Sequence, residues 1–554
     1  MNASFRNASS TLGPTEEDSG VDLLKVRRAY HTLVFELKSP ELLAILGRAT
    51  LSMCDELAKQ RVPTDDPENL CVFLVLFENP LLLGEHRTAL FPGFHIALQH
   101  LTAAVLSLPK DSQRLLFGWL KHLPSEYFAR VVDVMQQYIT FTLTQPGQNR
   151  NDASAAVLML QTLWDANAEM KGILPEKCFH SEAISQSREL QEHYMQWQQQ
   201  QSLVFSYCKY PFLLDADAKR RLISFDCDVR MKSAMQELVA QTWRQGLPVD
   251  ITLEQLLQFR VRREHVLSDF CGQLWWRFQN KRACLGLPLS VEFIGEQGVD
   301  AGGLRKECLQ IVLKQIYENT ALFCELEELP GLVWFRPRSS AAELWNDGRR
   351  VIFENVEPPS QLELHDSSWV DHLPEIAGAI VGLAVFNGIH VDLRLHPLIY
   401  RFLRDQSVSA GMDDLRAVHP MLHHSLTCLR NADISNLGLS WSACLPGGDC
   451  AYNLSGGQKH VDALLEASEV EEFIDSYAVA ALVGAMRPHI EAFVKTANEW
   501  MSAGAAFKLC TAHDLELLIC GSADIGRFAD LEASCTYLNG YSAASPTVKL
   551  FWEV

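Results

Sequence analysis

The stretch Leu289–Glu307, LSVEFIGEQGVDAGGLRKE, decides the fold of the C-terminal half of this chain. Polar and apolar side chains alternate over Ser290–Ile294, which predicts a half-buried strand. Several glycines follow, and they indicate a tight turn. Asp300 is placed to cap a helix that starts near Gly303 and runs through Ile311. The pattern therefore predicts a strand, a turn and a helix in that order.

The size and composition of the chain are those of an ordinary globular protein. Its 554 residues are enough for about three or four domains. Hydrophobic residues make up 48% and charged residues 21% of the sequence. The 48 basic and 68 acidic residues give a net charge of −20, which argues against sequence-independent binding of nucleic acid. The acidic balance is compatible with a basic partner, but also with a surface that merely keeps the protein in solution.

Several features of the sequence predict an intracellular protein without a membrane segment. Met1–Gly20 is polar and has no apolar core of a signal peptide. The longest apolar runs, Leu70–Phe77 and Ile376–Phe386, are shorter than the ~20 residues that span a bilayer. The fifteen cysteines lack CxxC spacing, which is typical of reduced thiols. We therefore expect a cytoplasmic protein, with the nucleus as a second possible location.

The composition and apolar periodicity of the chain predict two main regions after a disordered N-terminus at residues 1–20. Residues 21–201 form a predicted helical region, because apolar residues recur there at helical spacing. One such series is Phe94, Leu98, Leu101 and Val105, which ends before Pro109. A solenoid of helices is one alternative, and a plain helical domain is the default. From residue 202 onward, aromatic residues and short strands become more frequent.

Two short motifs resemble parts of other functional sites, but the sequence lacks the further motif or ligands that each site requires. Leu454–Gln458 spells LSGGQ, the signature loop of ABC-type ATPases, but the sequence has no P-loop of the form GxxxxGK[ST]. His419, His423 and His424 cluster without a cysteine or carboxylate at zinc spacing. We therefore expect neither a metal nor another cofactor.

Beyond the opening stretch, a collinear series of motifs resembles HECT-type ubiquitin ligases. The resemblance covers Leu203–Val554, and its finer features look most like the branch that contains the E-six-associated ligase. It implies an α+β, mainly α fold, with the HECT larger lobe and its lead-in over residues 202–535. Residues 536–554 would be an incomplete smaller lobe. The motifs are Arg260–His265 (RVRREH), Val333–Pro337 (VWFRP), Ile376–Leu403, Asp414–Leu426 and Leu515–Gly521 (LELLICG).

The resemblance implies a two-step acyl transfer with three kinds of partner: a ubiquitin-conjugating enzyme, ubiquitin and protein substrates. In the family, a cysteine thiolate of the smaller lobe accepts ubiquitin, and a substrate lysine then attacks the thioester. That cysteine lies in a Thr-Cys-Phe-like motif, which this sequence lacks before its end at Val554. Cys535 precedes a threonine, but it lies in the linker before the smaller lobe. We therefore expect no catalytic residue in this chain, and an inactive, truncated form of the enzyme.

The resemblance also implies a docking groove for the conjugating enzyme in a small helical subdomain near residues 456–500. Two departures bear on it: Ala480 replaces a usual aromatic, and Thr496–Ala497 replaces Gly-Phe. The alternative function is a non-catalytic module that docks a conjugating enzyme or substrate and competes with a full-length ligase. Helical spacing alone also allows the apolar face of the predicted helix Val470–Val483 to pack into its own domain. The groove positions are Phe473, Ile474, Tyr477, Leu482 and Phe493.

Overall fold

The computed structural model of the chain forms two compact units, Met1–Leu222 and Ile223–Val554. This division lies later in the chain than the predicted boundary between residues 201 and 202. It falls inside one long helix, Ala216–Arg244. The structure describes residues 5–6, 14–61, 66–82, 91, 93–144, 152–170, 172–199, 205–244, 257–298, 300–326, 329–336, 345–346, 349–357, 366–434, 437–444, 451–455, 460, 462–484, 486–501, 503–521, 531–532, 535–538 and 540–553.

The first unit is helical, as predicted. The series that starts at Phe94 is buried along one face of its helix, and Pro109 is the N-cap of the next helix. The helices of this unit are α1 (Leu23–His31), α2 (Pro40–Ala58), α3 (Pro67–Phe77), α4 (Phe94–Leu106), α5 (Lys110–His122), α6 (Ser125–Thr144), α7 (Asp152–Glu169), α8 (Glu182–Ser185) and α9 (Leu190–Gln198), followed by α10 (Ala216–Arg244) across the division.

Residues 14–20 lie against these helices, which differs from the predicted disorder of this stretch. The indole Nε1 of Trp119 donates a hydrogen bond to the carbonyl oxygen of Thr15 at 2.7 Å. The thiol of Cys71 donates to the carbonyl oxygen of Ser19 at 3.3 Å, and Ser19 is buried. Trp119 and Cys71 donate hydrogen bonds to backbone carbonyl oxygens of this segment. Every residue type has such a carbonyl, so the polar composition of the segment did not indicate these contacts.

The second unit combines many helices with three two-stranded sheets in its described residues, which confirms the mainly α, α+β class. β1 pairs with β2 in parallel, whereas the two later pairs are antiparallel hairpins. The elements are β1 (Leu257–Val261), α11 (Val266–Asn280), β2 (Leu289–Phe293), α12 (Gly303–Asn319), β3 (Phe323–Leu326), β4 (Leu329–Phe335), α13 (Arg349–Glu354), α14 (Leu373–Phe386), α15 (Pro397–Arg404), α16 (Met412–Val418), α17 (Pro420–Leu429), β5 (Ser442–Cys444), β6 (Ala451–Asn453), α18 (Val470–Val479), α19 (Arg487–Met501), α20 (Ala512–Cys520) and α21 (Pro546–Glu553).

The stretch that opens the sequence analysis forms the predicted strand, turn and helix. Asp300 joins the three parts, because one carboxylate oxygen accepts from the N–H of Val291 in β2 at 3.0 Å. Its other oxygen accepts from the N–H of Gly302 at 2.9 Å, directly before α12 begins. Gly302 has a φ of +113°, a conformation that a residue with a side chain rarely adopts. One carboxylate therefore fixes both the turn and the helix start.

The arginines of the RVRREH motif are each ion-paired inside this unit. Arg262 makes a bidentate pair with the fully buried carboxylate of Asp269, at 2.9 and 2.8 Å. Arg260 pairs with Glu292 across the parallel strands at 3.0 Å. Helix α11 follows the motif and continues to Asn280. The basic run is thus part of the scaffold. Arg263 pairs with Glu296 at 2.5 Å and Glu307 at 2.7 Å.

Helix α14 is the core of the second unit, and all of its residues except the half-buried Glu375 are buried. It packs most extensively on α19. The amide oxygen of Asn387, at its end, accepts from the N–H of Leu289 at 3.0 Å and so joins this core to β2. None of the described helices is long and apolar enough to cross a lipid bilayer.

Candidate functional site

The predicted docking region near residues 456–500 overlaps a small subdomain, formed by the described residues of 411–484 between α15 and α19. It consists of α16, α17, the β5–β6 hairpin and α18, followed by a π-helical turn over Ala480–Gly484. Helix α18 packs on α16 and α17. The resemblance implied a helical subdomain near residues 456–500, and its first helix, α18, begins at Val470 after a short 3₁₀ turn. Of the LSGGQ motif, residues 456–458 lie outside the described residues.

The N-terminal end of α18 is held by Trp441, the residue before β5. Trp441 Nε1 donates to the carboxylate of Glu469 at 3.3 Å. The Trp441 ring meets the ring of Phe473 edge to face, with 5.8 Å between their centroids. Both rings are buried. The hairpin and the helix therefore share one aromatic core, which fixes the orientation of α18.

The five predicted groove residues divide into a buried set and one accessible residue. Phe473 and Tyr477 lie together, with ring centroids 5.9 Å apart. Tyr477 is half-buried and lies at the edge of this cluster. Phe493 lies instead on α19, where its ring packs on Phe335 with 5.4 Å between centroids. The docking role of these residues stays a prediction. The fully or almost fully buried members are Phe473, Ile474, Leu482 and Phe493.

Exposed apolar side chains of the same subdomain were not identified by the sequence pattern. They lie in and beside the hairpin and at the start of α17, where no helical period marks them. Tyr452 approaches Gly484 closely: a Cβ on this glycine would lie 3.2 Å from the tyrosine ring. The only sequence signal for such an exposed side chain was an apolar residue within a stretch rich in serine and glycine. These side chains are Met421, Leu437, Tyr452 and Leu464, of which Met421 is 70% and Leu464 is 69% exposed.

The predicted chemistry needs an accessible cysteine thiolate, so the burial of the cysteines decides which of them could take part. Cys308 is buried, and burial raises the pKa of its thiol well above the ordinary value. Burial likewise raises the pKa of Cys520, whose sulfur lies 3.2 Å from the hydroxyl of Tyr400. Both thiols therefore stay protonated near neutral pH. Among the described cysteines, only Cys178, Cys428 and Cys535 are classed as exposed.

The histidines of the subdomain do not form a metal site. Over the part of the chain that the structure describes, no group of three or more His, Cys, Asp or Glu side chains could hold a metal ion. His424 faces Cys428 one turn further along α17, with 3.7 Å between Nε2 and the sulfur. That pair by itself has too few ligands for zinc.

Comparison with known proteins supports the class that the motifs suggest. Residues 310–554 match the family model described as HECT-domain (ubiquitin-transferase). The chain is 26% identical to the probable E3 ubiquitin-protein ligase HECTD2 of Pongo abelii over 585 residues, which cover 100% of this chain and 68% of the relative. It is 25% identical to the probable E3 ubiquitin-protein ligase HERC4 of Homo sapiens, covering 97% of this chain and 49% of the relative.

A fungal relative shows the same pattern. The probable E3 ubiquitin-protein ligase mug30 of Schizosaccharomyces pombe is 24% identical to this chain, over 95% of the chain and 61% of the relative. Together these similarities support a HECT-type ubiquitin ligase as the class of this protein, and transferase activity as the activity of that class. The finer placement beside the E-six-associated branch stays a prediction.

Proposed function

We propose that this chain docks a ubiquitin-conjugating enzyme through the subdomain of residues 411–484, as part of a HECT-type ligase that ubiquitinates protein lysines. The observation that carries the proposal is the match of residues 310–554 to the HECT domain, a range that includes the whole subdomain. The partners implied by that class are a conjugating enzyme, ubiquitin and protein substrates. We also propose a cytoplasmic location.

The docking surface is tested best at Tyr477, because its ring is half-buried whereas the other predicted groove residues of α18 lie in the core. Tyr477→Ala should weaken binding of a conjugating enzyme at least tenfold, a change of about 1.4 kcal/mol, as expected for an aromatic residue at an interface. Biolayer interferometry with a panel of conjugating enzymes measures this.

The matched control is Tyr317→Ala, since Tyr317 lies on α12 outside the subdomain and is partly exposed. Its binding should equal that of the unmodified chain. Circular dichroism and thermal unfolding check that both variants are folded. Equal binding by folded Tyr477→Ala would reject Tyr477 as a docking residue.

We further propose that no cysteine of this chain accepts ubiquitin. The proposal is supported by the burial of the thiols at Cys308 and Cys271, where burial raises the pKa of each thiol. Incubation with ubiquitin-charged conjugating enzymes should give no reductant-sensitive adduct by intact mass. An adduct would overturn this proposal. If the adduct then disappears in Cys178→Ser, Cys428→Ser or Cys535→Ser, the substituted residue is the acceptor among the exposed cysteines.

A second candidate function follows if the chain docks but does not accept ubiquitin. Such a module would compete with a full-length ligase for its conjugating enzyme. Added to a reconstituted ubiquitination reaction, the chain should inhibit in proportion to its concentration, and Tyr477→Ala should remove the inhibition. Binding without inhibition would reject the competitor function, while leaving the docking surface intact.

A further inference from the structure

A cleft of about 500 Å³ lies where the subdomain of residues 411–484 meets the rest of the second unit. One wall is the loop 406–410, which connects α15 to the subdomain. The opposite wall is one face of α19, and the end of α18 with the π turn closes the cleft. A volume of this size is within the range of small-molecule sites, roughly 300–1,000 Å³.

The floor of this junction cleft is apolar. Its side chains come from five separate elements, namely α15, the loop 406–410, α18, the π turn and α19, so a molecule that fills the cleft would contact all of them. Two serines of the loop, Ser407 and Ser409, supply hydroxyl groups at the wall. A lining that combines an apolar surface with polar groups at its edge is typical of sites for organic ligands. The apolar side chains are Phe402, Val408, Val479, Val483, Ile490 and Val494.

The charged groups that line the cleft all belong to α19 and are spaced one helical turn apart. They are Arg487, Glu491 and Lys495. Arg487 Nη1 lies 3.6 Å from the carboxylate of Glu491, so these two charges largely offset each other. The Lys495 side chain has no ion pair or hydrogen bond within the residues that the structure describes, and it is exposed. The edge of the cleft therefore carries one uncompensated positive charge.

We propose that the junction cleft binds a small amphiphilic anion. The apolar body of such a molecule would lie on the valine and isoleucine floor, where burial of about 25 cal/mol per Å² of apolar surface favours it. Its single carboxylate, sulfonate or phosphate group would lie beside the ammonium of Lys495. A cationic head group would face that ammonium directly and bind less well. Bound there, the ligand touches both the subdomain and α19.

Three probes with one shared tail test the charge preference: decanoate, 1-decanol and decyltrimethylammonium. Each is titrated into the complete chain by isothermal titration calorimetry, below its micelle-forming concentration. Decanoate should bind at least tenfold more tightly than decyltrimethylammonium, and decanol should lie between them. Equal affinity for all three probes, a preference for the cation, or no binding of decanoate would overturn the proposal.

Two kinds of variant test the location. Lys495→Glu should lower decanoate affinity at least tenfold, whereas Lys508→Glu makes the same charge change outside the cleft and should leave affinity unchanged. Val479→Phe should fill the cleft and weaken all probes. If that variant does not fold, Ser409→Trp fills the cleft from the exposed loop. Unchanged decanoate binding in folded Lys495→Glu, or in a folded cleft-filling variant, would place the binding elsewhere.

Discussion

Gly378 of α14 lies directly against the backbone carbonyl of Phe493 on α19. A Cβ on this glycine would overlap the carbonyl oxygen, and it would lie 2.8 Å from the carbonyl carbon. One turn later, a Cβ on Gly382 would lie 2.7 Å from the carbonyl oxygen of Ala497. The two helices therefore pack backbone to backbone, and the hydroxyl of Thr496 donates across this contact to the carbonyl oxygen of Glu375 at 2.8 Å.

Gly378→Ala should destabilise the second unit by at least about 3 kcal/mol, because neither backbone can yield without separating the helices. Gly303→Ala is the matched control, since a Cβ at this first residue of α12 meets nothing within 4 Å. The control should be neutral or slightly stabilising. Urea unfolding measures both. Equal stability of the two variants would contradict the close packing.

Arg262→Met should cost about 3–5 kcal/mol, because it leaves the fully buried carboxylate of Asp269 without its charge partner. Lys314→Met removes one partner of an exposed pair on α12, Lys314 and Glu318, at 3.7 Å. That control should cost no more than about 1 kcal/mol. The difference in the free energy of unfolding is the measurement. A small effect at Arg262 would contradict the role of this ion pair in stability.

His396 should make the protein less stable as the pH falls from about 6.5 to about 4. Burial, aided by the charges of His419 and Arg401, lowers the pKa of His396 to about 4. Its Nδ1 accepts from the N–H of Leu398 at 3.2 Å and so caps α15 in the neutral form. The unfolded chain binds the proton near pH 6.5, so the stabilisation is complete above that pH and is lost below it, by roughly 3 kcal/mol at most.

His396→Asn keeps an acceptor for the helix cap and removes the titration. Its free energy of unfolding should therefore change less between pH 6.5 and pH 4 than that of the unmodified chain. Parallel curves for the two proteins would show that other groups cause the acid sensitivity.

Phe473→Ala should cost about 3–5 kcal/mol, because the ring is only 3% exposed and packs on Trp441. Tyr477→Ala should cost less, since that ring is half-buried. Thermal unfolding of both variants checks this order. If Phe473→Ala keeps the stability of the unmodified chain while losing a conjugating enzyme, the ring faces the partner and not the core.

Among the sites that follow α10, limited chymotrypsin digestion should first cut after residue 531. Leu538, Tyr541, Leu550 and Phe551 are each more than half exposed, whereas the aromatic residues of α19 are buried. Mass spectrometry of the early products should show a large fragment that retains α20. Early cleavage within α14 or α19 would contradict this order of accessibility.

Local chemistry made part of this fold predictable. The alternation at β2, the glycines and Asp300 are neighbours in sequence, so their strand, turn and helix could be inferred. The pairing of β2 with β1 joins residues more than thirty positions apart, and nothing local indicates it. The stripe of Phe473, Ile474 and Tyr477 marks one apolar face of α18, but its spacing leaves open whether that face binds a partner or packs into its own domain. Helical period could not show that most of this face is covered by Trp441 and its own subdomain.

The π turn over Ala480–Gly484 has a consequence for how this surface could diverge. A π turn holds one residue more than an α-helical turn, and each residue of an α-helix corresponds to roughly 100° of rotation. Loss of a single codon there would restore regular helix and rotate α18, with Tyr477, relative to α19. An insertion or deletion at this turn would thus reorient the whole of α18, whereas a substitution on α18 changes one side chain. Related proteins could differ in the partners that they bind chiefly through changes in the length of this turn.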